Sequence, residues 1–344
     1  MNSRKRSGRL LLPTLLALAL FVSGCAGGSD DADANNNAGT GNDKVATGGE
    51  EFADADAETA KLGSDAAPGE FPRTVTHSMG ETEIQEKPER VVVLDTGELD
   101  DVLTLGIMPV GLVTTEGADP IAPYLADQAE GIESVGTVNS LNLEKIAELQ
   151  PDLILGSQLR ADKLYEQLSQ IAPTVFSIRP GFPWKENFTL VADALGEEEG
   201  AEAALADYDA KVEEVKAAID GDPTVSLVRW MPDKLRIYGD KSFIGVILND
   251  IGLARPDNQQ IDELAIEISP ENIAEADADY IFYSSYGDPD ATGETQVIEG
   301  AGWKALDGVK NGKAFRVDDG VWFLGLGPTG ADLVLDQLKD YLSK

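Results

Sequence analysis

The sequence has little sulfur, little imidazole and little positive charge. Its 344 residues include one cysteine and one histidine, and 27 basic residues face 62 acids. One cysteine excludes an intramolecular disulfide. Transition-metal sites usually recruit imidazole or thiolate, and a Ser/His/Asp set needs a histidine, so both kinds of site are disfavoured. No Gly-x-Ser-x-Gly motif occurs, and the net charge of −35 argues against nucleic acid as a partner. We therefore expect a protein that is not an enzyme.

Long apolar runs are also missing. Residues 10–21 form the one marked apolar stretch, which is shorter than the ~20 residues that a membrane-spanning helix needs. Basic residues precede it and Val22-Ser23-Gly24-Cys25 follows it, which is the order of a signal peptide. We predict cleavage of residues 1–24 and a diacylglycerol on Cys25, which would anchor an extracytoplasmic protein to the cell membrane. The alternative is a plain secretory signal followed by an incidental cysteine.

The remaining chain divides by composition and periodicity. Residues 25–70 are rich in Gly, Ala, Asn, Asp and Glu, which predicts a disordered acidic tether. Strand-like apolar runs then alternate with helical patterns, which is typical of mainly parallel sheets. We predict an α/β fold of two lobes joined by a single long helix, with a ligand cleft between the lobes. The N-terminal lobe would span residues 71–185, the connecting helical segment 186–222 and the C-terminal lobe 223–344.

Ligands of open parallel sheets bind beyond the carboxyl ends of the strands. Aromatic and arginine side chains are frequent in the segments that follow the predicted strands, and they suit a bulky ligand with carbonyl or oxyanion groups. The candidate ligand-binding residues are Thr96, Arg160, Arg229, Trp230, Arg236, Tyr238, Tyr286 and Trp322.

Each of these candidates has a purely structural alternative. Trp230 and Trp322 could be core aromatics, Tyr286 a surface-loop residue and Arg229 a member of an ordinary ion pair. The glycine-rich stretch 325–330 is interpreted as loop geometry, because no Gly-Lys-Ser/Thr ending follows it. His77 falls in a predicted hairpin and is expected at the surface.

Several motifs, taken in their order along the chain, resemble one family. Among them are Pro88-Glu89-Arg90-Val91-Val92, Leu149-Gln150-Pro151-Asp152-Leu153-Ile154, and Ser269-Pro270-Glu271. From about Phe71 to the last residue, the chain resembles the helical-backbone substrate-binding proteins of ATP-driven importers for iron complexes and cobalamin, the FecB-like or FhuD-like group.

This resemblance implies a monomeric binding protein that works with a permease and its ATPase. Glu144 and Glu271 match the family's two acids that dock on permease arginines, although each also suits a helix N-terminus. An aromatic and arginine cleft without a histidine cluster fits a ferric siderophore, which saturates its own iron, so no protein cofactor or metal ligand is expected. Cobalamin or heme is the alternative ligand, with Tyr286 or Tyr238 as the heme's axial donor. A surface enzyme or adhesin is a more distant alternative, and the siderophore's chemical class stays open.

Overall fold

The structure is a computed structural model that describes residues 37–39, 52–117, 119–232 and 234–343. The predicted signal peptide and Cys25 lie outside these residues. Within the described part of the chain, no helix has the length and apolar character needed to cross a membrane.

The secondary structure alternates between strands and helices through most of the described chain. The strands are β1 (Asn37–Gly39), β2 (Arg73–His77), β3 (Gly80–Ile84), β4 (Val91–Val93), β5 (Gly111–Thr114), β6 (Glu133–Thr137), β7 (Ser140–Asn142), β8 (Leu153–Ser157), β9 (Thr174–Ser177), β10 (Val225–Met231), β11 (Lys234–Tyr238), β12 (Ala265–Ile268), β13 (Tyr280–Ser285) and β14 (Ala314–Arg316). The α-helices are α1 (Ala55–Thr59), α2 (Thr96–Thr104), α3 (Pro123–Ala126), α4 (Leu143–Glu148), α5 (Gln158–Ala161), α6 (Tyr165–Leu168), α7 (Trp184–Leu195), α8 (Glu198–Ala218), α9 (Phe243–Asp250), α10 (Glu294–Glu299), α11 (Ala301–Lys304), α12 (Asp307–Lys310), α13 (Asp319–Trp322) and α14 (Pro328–Leu342). Short 3-10 helices span Asp162–Leu164, Asp257–Gln259 and Pro270–Ala276.

The N-terminal lobe is built on a seven-stranded sheet with the order β1-β7-β6-β5-β4-β8-β9. Strands β6, β5, β4, β8 and β9 are parallel to their neighbours, while β7 and β1 extend the β6 edge in antiparallel pairs. All three residues of β4 are buried, as expected of a strand that is covered on both faces. Helix α4 begins at Leu143, where the Asn142 side chain accepts a hydrogen bond from the Lys145 amide and so caps the helix.

The C-terminal lobe holds a five-stranded sheet with the order β12-β11-β10-β13-β14. Strands β10, β13 and β14 are parallel, and β11 pairs antiparallel with both β10 and β12. One core, which includes Trp184 and Trp322, lies between this sheet and helices α8, α9 and α14. The opposite face carries a second core, which includes Trp230 and Trp303. The two lobes therefore have different sheets, one mainly parallel and the other mixed.

The helical connection between the lobes consists of α7 followed by the 21-residue α8. Gly196 ends α7 in a left-handed conformation with φ of 67°, which glycine adopts without steric cost. The long helix of the predicted connection is α8, and α7 precedes it.

The hairpin β2–β3 forms at the predicted place, but the expectation that His77 lies at the surface is wrong. Its side chain is only 3% exposed, because the hairpin packs against β9 and the ring lies 5.5 Å from the Tyr165 ring. Its Nε2 atom is 3.0 Å from the Thr82 hydroxyl. Burial lowers the pKa of His77 from 6.5 to about 4, so the ring is neutral near neutral pH.

Residues 52–70, which the composition predicts to be tether, are part of the folded structure. Helix α1 packs against α7 and buries Ala55 and Thr59, which lie on one face of the helix. The Ser64 hydroxyl donates a hydrogen bond of 2.7 Å to Asp193. The scarcity of large apolar residues misled the composition argument, because Ala55, Thr59 and Leu62 are enough to pack the segment on a core that the rest of the chain supplies.

Candidate functional site

A cavity of about 530 Å³ opens between the two lobes. Seven of the eight predicted ligand-binding residues line it. They are Thr96, Arg160, Arg229, Arg236, Tyr238, Tyr286 and Trp322. The N-terminal wall is built from segments that follow β4, β5, β8 and β9, which confirms that the carboxyl ends of parallel strands meet at the cleft.

Trp230 is the predicted residue that the structure does not bring to the cavity. Neighbouring residues of a strand point to opposite faces of the sheet, so Trp230 points away from the face that Arg229 occupies. Its ring is 1% exposed and packs edge-on against Tyr283 and Trp303, at centroid distances of 5.8 and 5.5 Å. The core alternative is therefore the correct one for Trp230.

Arg229 occupies the centre of the C-terminal wall. Its Nε donates a 2.7 Å hydrogen bond to Asp319 and its Nη2 bonds the other carboxylate oxygen, while Nη1 lies 3.2 Å from the Tyr238 hydroxyl. The guanidinium also lies 4.9 Å from the Tyr286 ring centre and 5.2 Å from that of Phe323. Burial opposes its charge, but Tyr238 and Asp319 outweigh that effect and raise the pKa of Arg229. Arg229 is thus a fixed cation that holds three aromatic rings in place.

Strand β11 adds two further cations to the same wall. Lys234, Arg236 and Tyr238 alternate along the strand and share one face. Arg236 donates to Glu267 at 3.1 and 2.8 Å, and Lys234 lies 3.3 Å from the same carboxylate oxygen. The sequence interpretation missed Lys234, although its spacing of two from Arg236 was the signal that could have found it.

The N-terminal wall begins where β4 leads into α2. Asp95 is 1% exposed and caps α2 by accepting the Thr96 amide, while its other oxygen receives the Arg160 Nε at 2.7 Å. Arg160 and Thr96 therefore lie side by side, held by one buried carboxylate.

Arg179 is a second cation of this wall that the predicted set did not include. It follows β9, its Nε donates to the Pro180 carbonyl, and its guanidinium lies 4.9 Å from the Phe182 ring centre. Burial, together with repulsion from Arg160, lowers the pKa of Arg179 to about 10. Its position directly beyond a strand end was the available signal.

The charge of the cavity is opposite to that of the chain. Among the described lining residues, five side chains are cationic and Asp95 is the one carboxylate, whereas acids outnumber basic residues by 62 to 27 in the whole sequence. The cations come from both lobes, so a ligand between them would meet positive charge on two sides. This arrangement can bind an organic anion and stack its flat parts on the aromatic rings.

Three predicted aromatic residues differ in how accessible they are. The Trp322 ring is buried and donates to the Gln337 side chain at 2.7 Å, so it is a core aromatic that also backs the cavity. Tyr238 is mostly buried beside Arg229. Tyr286 is half-buried, and its hydroxyl accepts a hydrogen bond of 3.2 Å from the Glu116 amide. Burial also raises the pKa of Tyr286, which disfavours a tyrosinate.

The two predicted docking acids are both exposed, one on each lobe. Glu144 lies in the first turn of α4, and Glu271 lies in the first turn of the 3-10 helix Pro270–Ala276. Hydrogen bonds to its own backbone and to Ser269 lower the pKa of Glu271, which keeps it charged.

Comparison with known proteins places the chain in a family. The family model described as periplasmic binding protein matches residues 91–320. The probable siderophore-binding lipoprotein YfiY of Bacillus subtilis is 39% identical over 287 residues, which cover 79% of this chain and 88% of that protein. The putative ABC transporter substrate-binding lipoprotein YhfQ of the same organism is 32% identical and covers 77% of this chain and 87% of its own length.

A solved structure gives the same result. The Staphylococcus aureus protein SirA, crystallised with staphyloferrin B, is 34% identical to this chain and superposes with a TM-score of 0.71, covering 78% of this chain and 98% of SirA. The resemblance noted in the sequence and the two-lobed α/β fold are thereby confirmed. The chain belongs to the periplasmic binding protein family, whose members bind substrates for transport and are not enzymes.

Proposed function

We propose that this protein captures an anionic ferric siderophore in the interlobe cavity and delivers it to the permease of an ABC importer. The observation that carries this proposal is the local excess of cations in the part of the lining that the structure describes, five against one carboxylate, in a chain whose net charge is −35. Arg160 repels Arg179 within this patch, and an anionic ligand would relieve that repulsion. The relatives named as siderophore-binding proteins support the same ligand class.

The cavity supports a siderophore better than heme. A heme would need an axial donor, and the tyrosines predicted for that role are already engaged, Tyr238 with Arg229 and Tyr286 with the Glu116 amide. A siderophore needs no donor from the protein, because it fills the coordination sphere of the iron itself. Charged and stacking contacts at its outer surface are then what the protein must supply.

The sequence and the names of the relatives support a proposal for the cellular setting. We infer that Cys25 carries the lipid anchor, that the protein works as a monomer outside the cytoplasm, and that a permease with its ATPase receives the ligand. Replacing Cys25 by serine is expected to abolish incorporation of labelled fatty acid. Incorporation into that variant would contradict the anchor.

The ligand is tested by calorimetric titration of the mature chain with four probes: ferric staphyloferrin B, a neutral ferric trihydroxamate, heme and cobalamin. We expect the anionic ferric chelate to bind most tightly and its affinity to fall as salt is added, because charge attraction is screened. Quenching of Trp322, whose ring backs the cavity, should follow the same titration. Preferential binding of heme or cobalamin, or no response to any ferric chelate, would overturn the proposal.

A further inference from the structure

The two lobes touch closely beside the ligand cavity, where α2 of the N-terminal lobe meets the start of α14. A Cβ atom on Gly327 would lie 2.6 Å from the Asp100 Cβ, and one on Gly97 would lie 3.2 Å from the Leu326 carbonyl oxygen. Contacts this short exclude a larger side chain at Gly327 in the present arrangement. The glycine-rich stretch 325–330, interpreted from sequence as loop geometry, thus permits a close approach between the lobes.

Asp100 lies at the centre of this contact and is fully buried. One carboxylate oxygen accepts from the Thr329 amide at 3.0 Å and from the Thr104 hydroxyl at 3.1 Å. The other accepts from the Gly330 amide at 2.9 Å and from the Tyr124 hydroxyl at 2.7 Å. Four donors from two lobes therefore converge on one side chain.

The two amides that donate hydrogen bonds to Asp100 belong to the first turn of α14, a helix of 15 residues. The residue that should cap this helix is Gly327, which has no side chain to do so. Asp100 supplies the missing cap from the other lobe, and its charge is favoured at the positive end of the helix. Helix α14 is itself firmly part of the C-terminal lobe, because Val334, Leu335 and Leu338 lie in the core beside α8.

The contact between Asp100 and the start of α14 lies next to the cavity. Asp95 and Thr96, at the start of α2, line the N-terminal wall, and Leu324 and Leu326, which precede α14, line the opposite side. Both cavity-lining segments are therefore attached to the two helices that Asp100 joins. Asp100 itself is fully buried and is not one of the lining residues.

We propose that Asp100 is a positioning residue that caps α14 across the lobe boundary and so fixes the spacing between the two walls of the ligand cavity. The proposal rests on the proposed function only for its effect on ligand affinity. In the ligand-free protein, Asp100 would then hold the two walls of the cavity at one spacing.

The test is an interlobe distance measurement on the full mature chain with Cys25→Ser, spin-labelled at Glu148→Cys and Glu299→Cys, which are exposed positions on different lobes. In Asp100→Asn, an NH₂ group must face at least one of the four donors. We expect a broader distance distribution without ligand, and about tenfold weaker binding of ferric staphyloferrin B because fewer molecules have the competent spacing. The matched control is Asp193→Asn, a buried carboxylate of α7 that accepts hydrogen bonds from Ser64 and Arg73 and makes no contact with α14 through its carboxylate, so it should lower stability without changing the distance.

Tyr124→Phe removes a single donor and serves as the milder variant if Asp100→Asn does not fold. An unchanged distance distribution in the folded Asp100 or Tyr124 variants would overturn the role of Asp100. The distance measurement needs no ligand, so a wild-type protein that ignores all ferric chelates would refute the proposed function and leave this inference standing.

Discussion

The two walls of the cavity hold their positive charge in different ways. On the C-terminal wall, Arg229 is fixed by both oxygens of Asp319, and its guanidinium lies 4.9 and 5.2 Å from the centres of two aromatic rings. On the N-terminal wall, Arg160 and Arg179 lie near enough to repel each other, and Asp95 is the one carboxylate among that wall's lining residues. The C-terminal wall therefore holds its central cation through a two-point ion pair, whereas the N-terminal wall places two cations close enough to repel each other.

The largest effect on stability and binding should come from a substitution on the C-terminal wall. Arg229→Ala leaves Asp319 in a mostly buried position with the Ser284 hydroxyl as its remaining bonded partner, and breaking a buried pair in this way costs about 3–5 kcal/mol. We expect the free energy of unfolding, measured in urea, to fall by that order and ligand binding to be lost. The double variant Arg229→Ala/Asp319→Ala should recover part of the stability. If Arg229→Ala has the same free energy of unfolding as the wild type, the Arg229–Asp319 ion pair does not stabilise the C-terminal wall.

A substitution on the N-terminal wall should lower ligand affinity more than it lowers the free energy of unfolding. Arg179→Ala removes a cation that repels Arg160, so we expect the free energy of unfolding to fall less than in Arg229→Ala. Affinity for the anionic chelate should fall by about 1.5–3 kcal/mol, the size of a hydrogen bond to a charged group. Calorimetry and urea unfolding on the same preparation check both halves. If Arg179→Ala lowers stability strongly but leaves affinity unchanged, the proposed difference between the two walls is wrong.

Acid should weaken the lobe that carries His77. The pKa of this buried histidine is lowered from 6.5 to about 4, so between these values the unfolded chain binds a proton that the folded chain does not. Its contribution to stability is present above pH 6.5 and is lost as the pH falls towards 4, by on the order of 2 kcal/mol. His77→Gln should flatten this part of the profile in urea unfolding between pH 7 and 4. An equally steep profile in the variant would assign the acid sensitivity to other groups.

The smallest individual effects should come from the docking acids, one on each lobe. An exposed ion pair contributes about 0.2–1 kcal/mol, so Glu144→Ala or Glu271→Ala alone should lower uptake modestly. Together they should reduce it strongly, because both lobes are needed to orient the protein on the permease. Ligand affinity should not change in any of these variants.

Uptake of the labelled ferric chelate by cells is the measurement for this prediction. An exposed pair of acids away from both helix starts, such as Glu81 and Glu299, provides the matched control. Normal uptake in the Glu144/Glu271 double variant, or loss of ligand binding in its place, would contradict the docking role.

Periodicity and strand ends made most of the site predictable. The buried run of β4 and the segments beyond the parallel strands identified Thr96 and Arg160 correctly as cavity residues. Trp230 was misplaced because the sequence gives no direct sign of which face of β10 meets the cleft. Once Arg229 is known to face the cavity, the alternation of side chains along β10 places Trp230 on the opposite face. Arg229 pairs with Arg236 of β11, so Arg236 and Lys234, two positions before it, share the cavity face.

Other features depend on contacts between residues far apart in sequence. Asp193 accepts a hydrogen bond from the Ser64 hydroxyl, which is more than a hundred residues away in the sequence. No local sequence pattern therefore reveals that residues 52–70 are folded. The burial of His77 likewise depends on β9, which lies about a hundred positions further along the chain. Asp100 and the Gly330 amide are 230 positions apart.

The placement of the four tryptophans has a consequence for spectroscopy. Trp184 and Trp322 lie in one core of the C-terminal lobe, and Trp230 and Trp303 lie in the other. Residues 71–183, which form most of the N-terminal lobe, contain no tryptophan at all. Intrinsic tryptophan emission during unfolding is therefore a signal from one half of the molecule, whereas far-ultraviolet circular dichroism averages over both. Coincident melting curves from the two methods would mean that the lobes unfold as one cooperative unit, and separated curves would resolve the N-terminal lobe as a unit of its own.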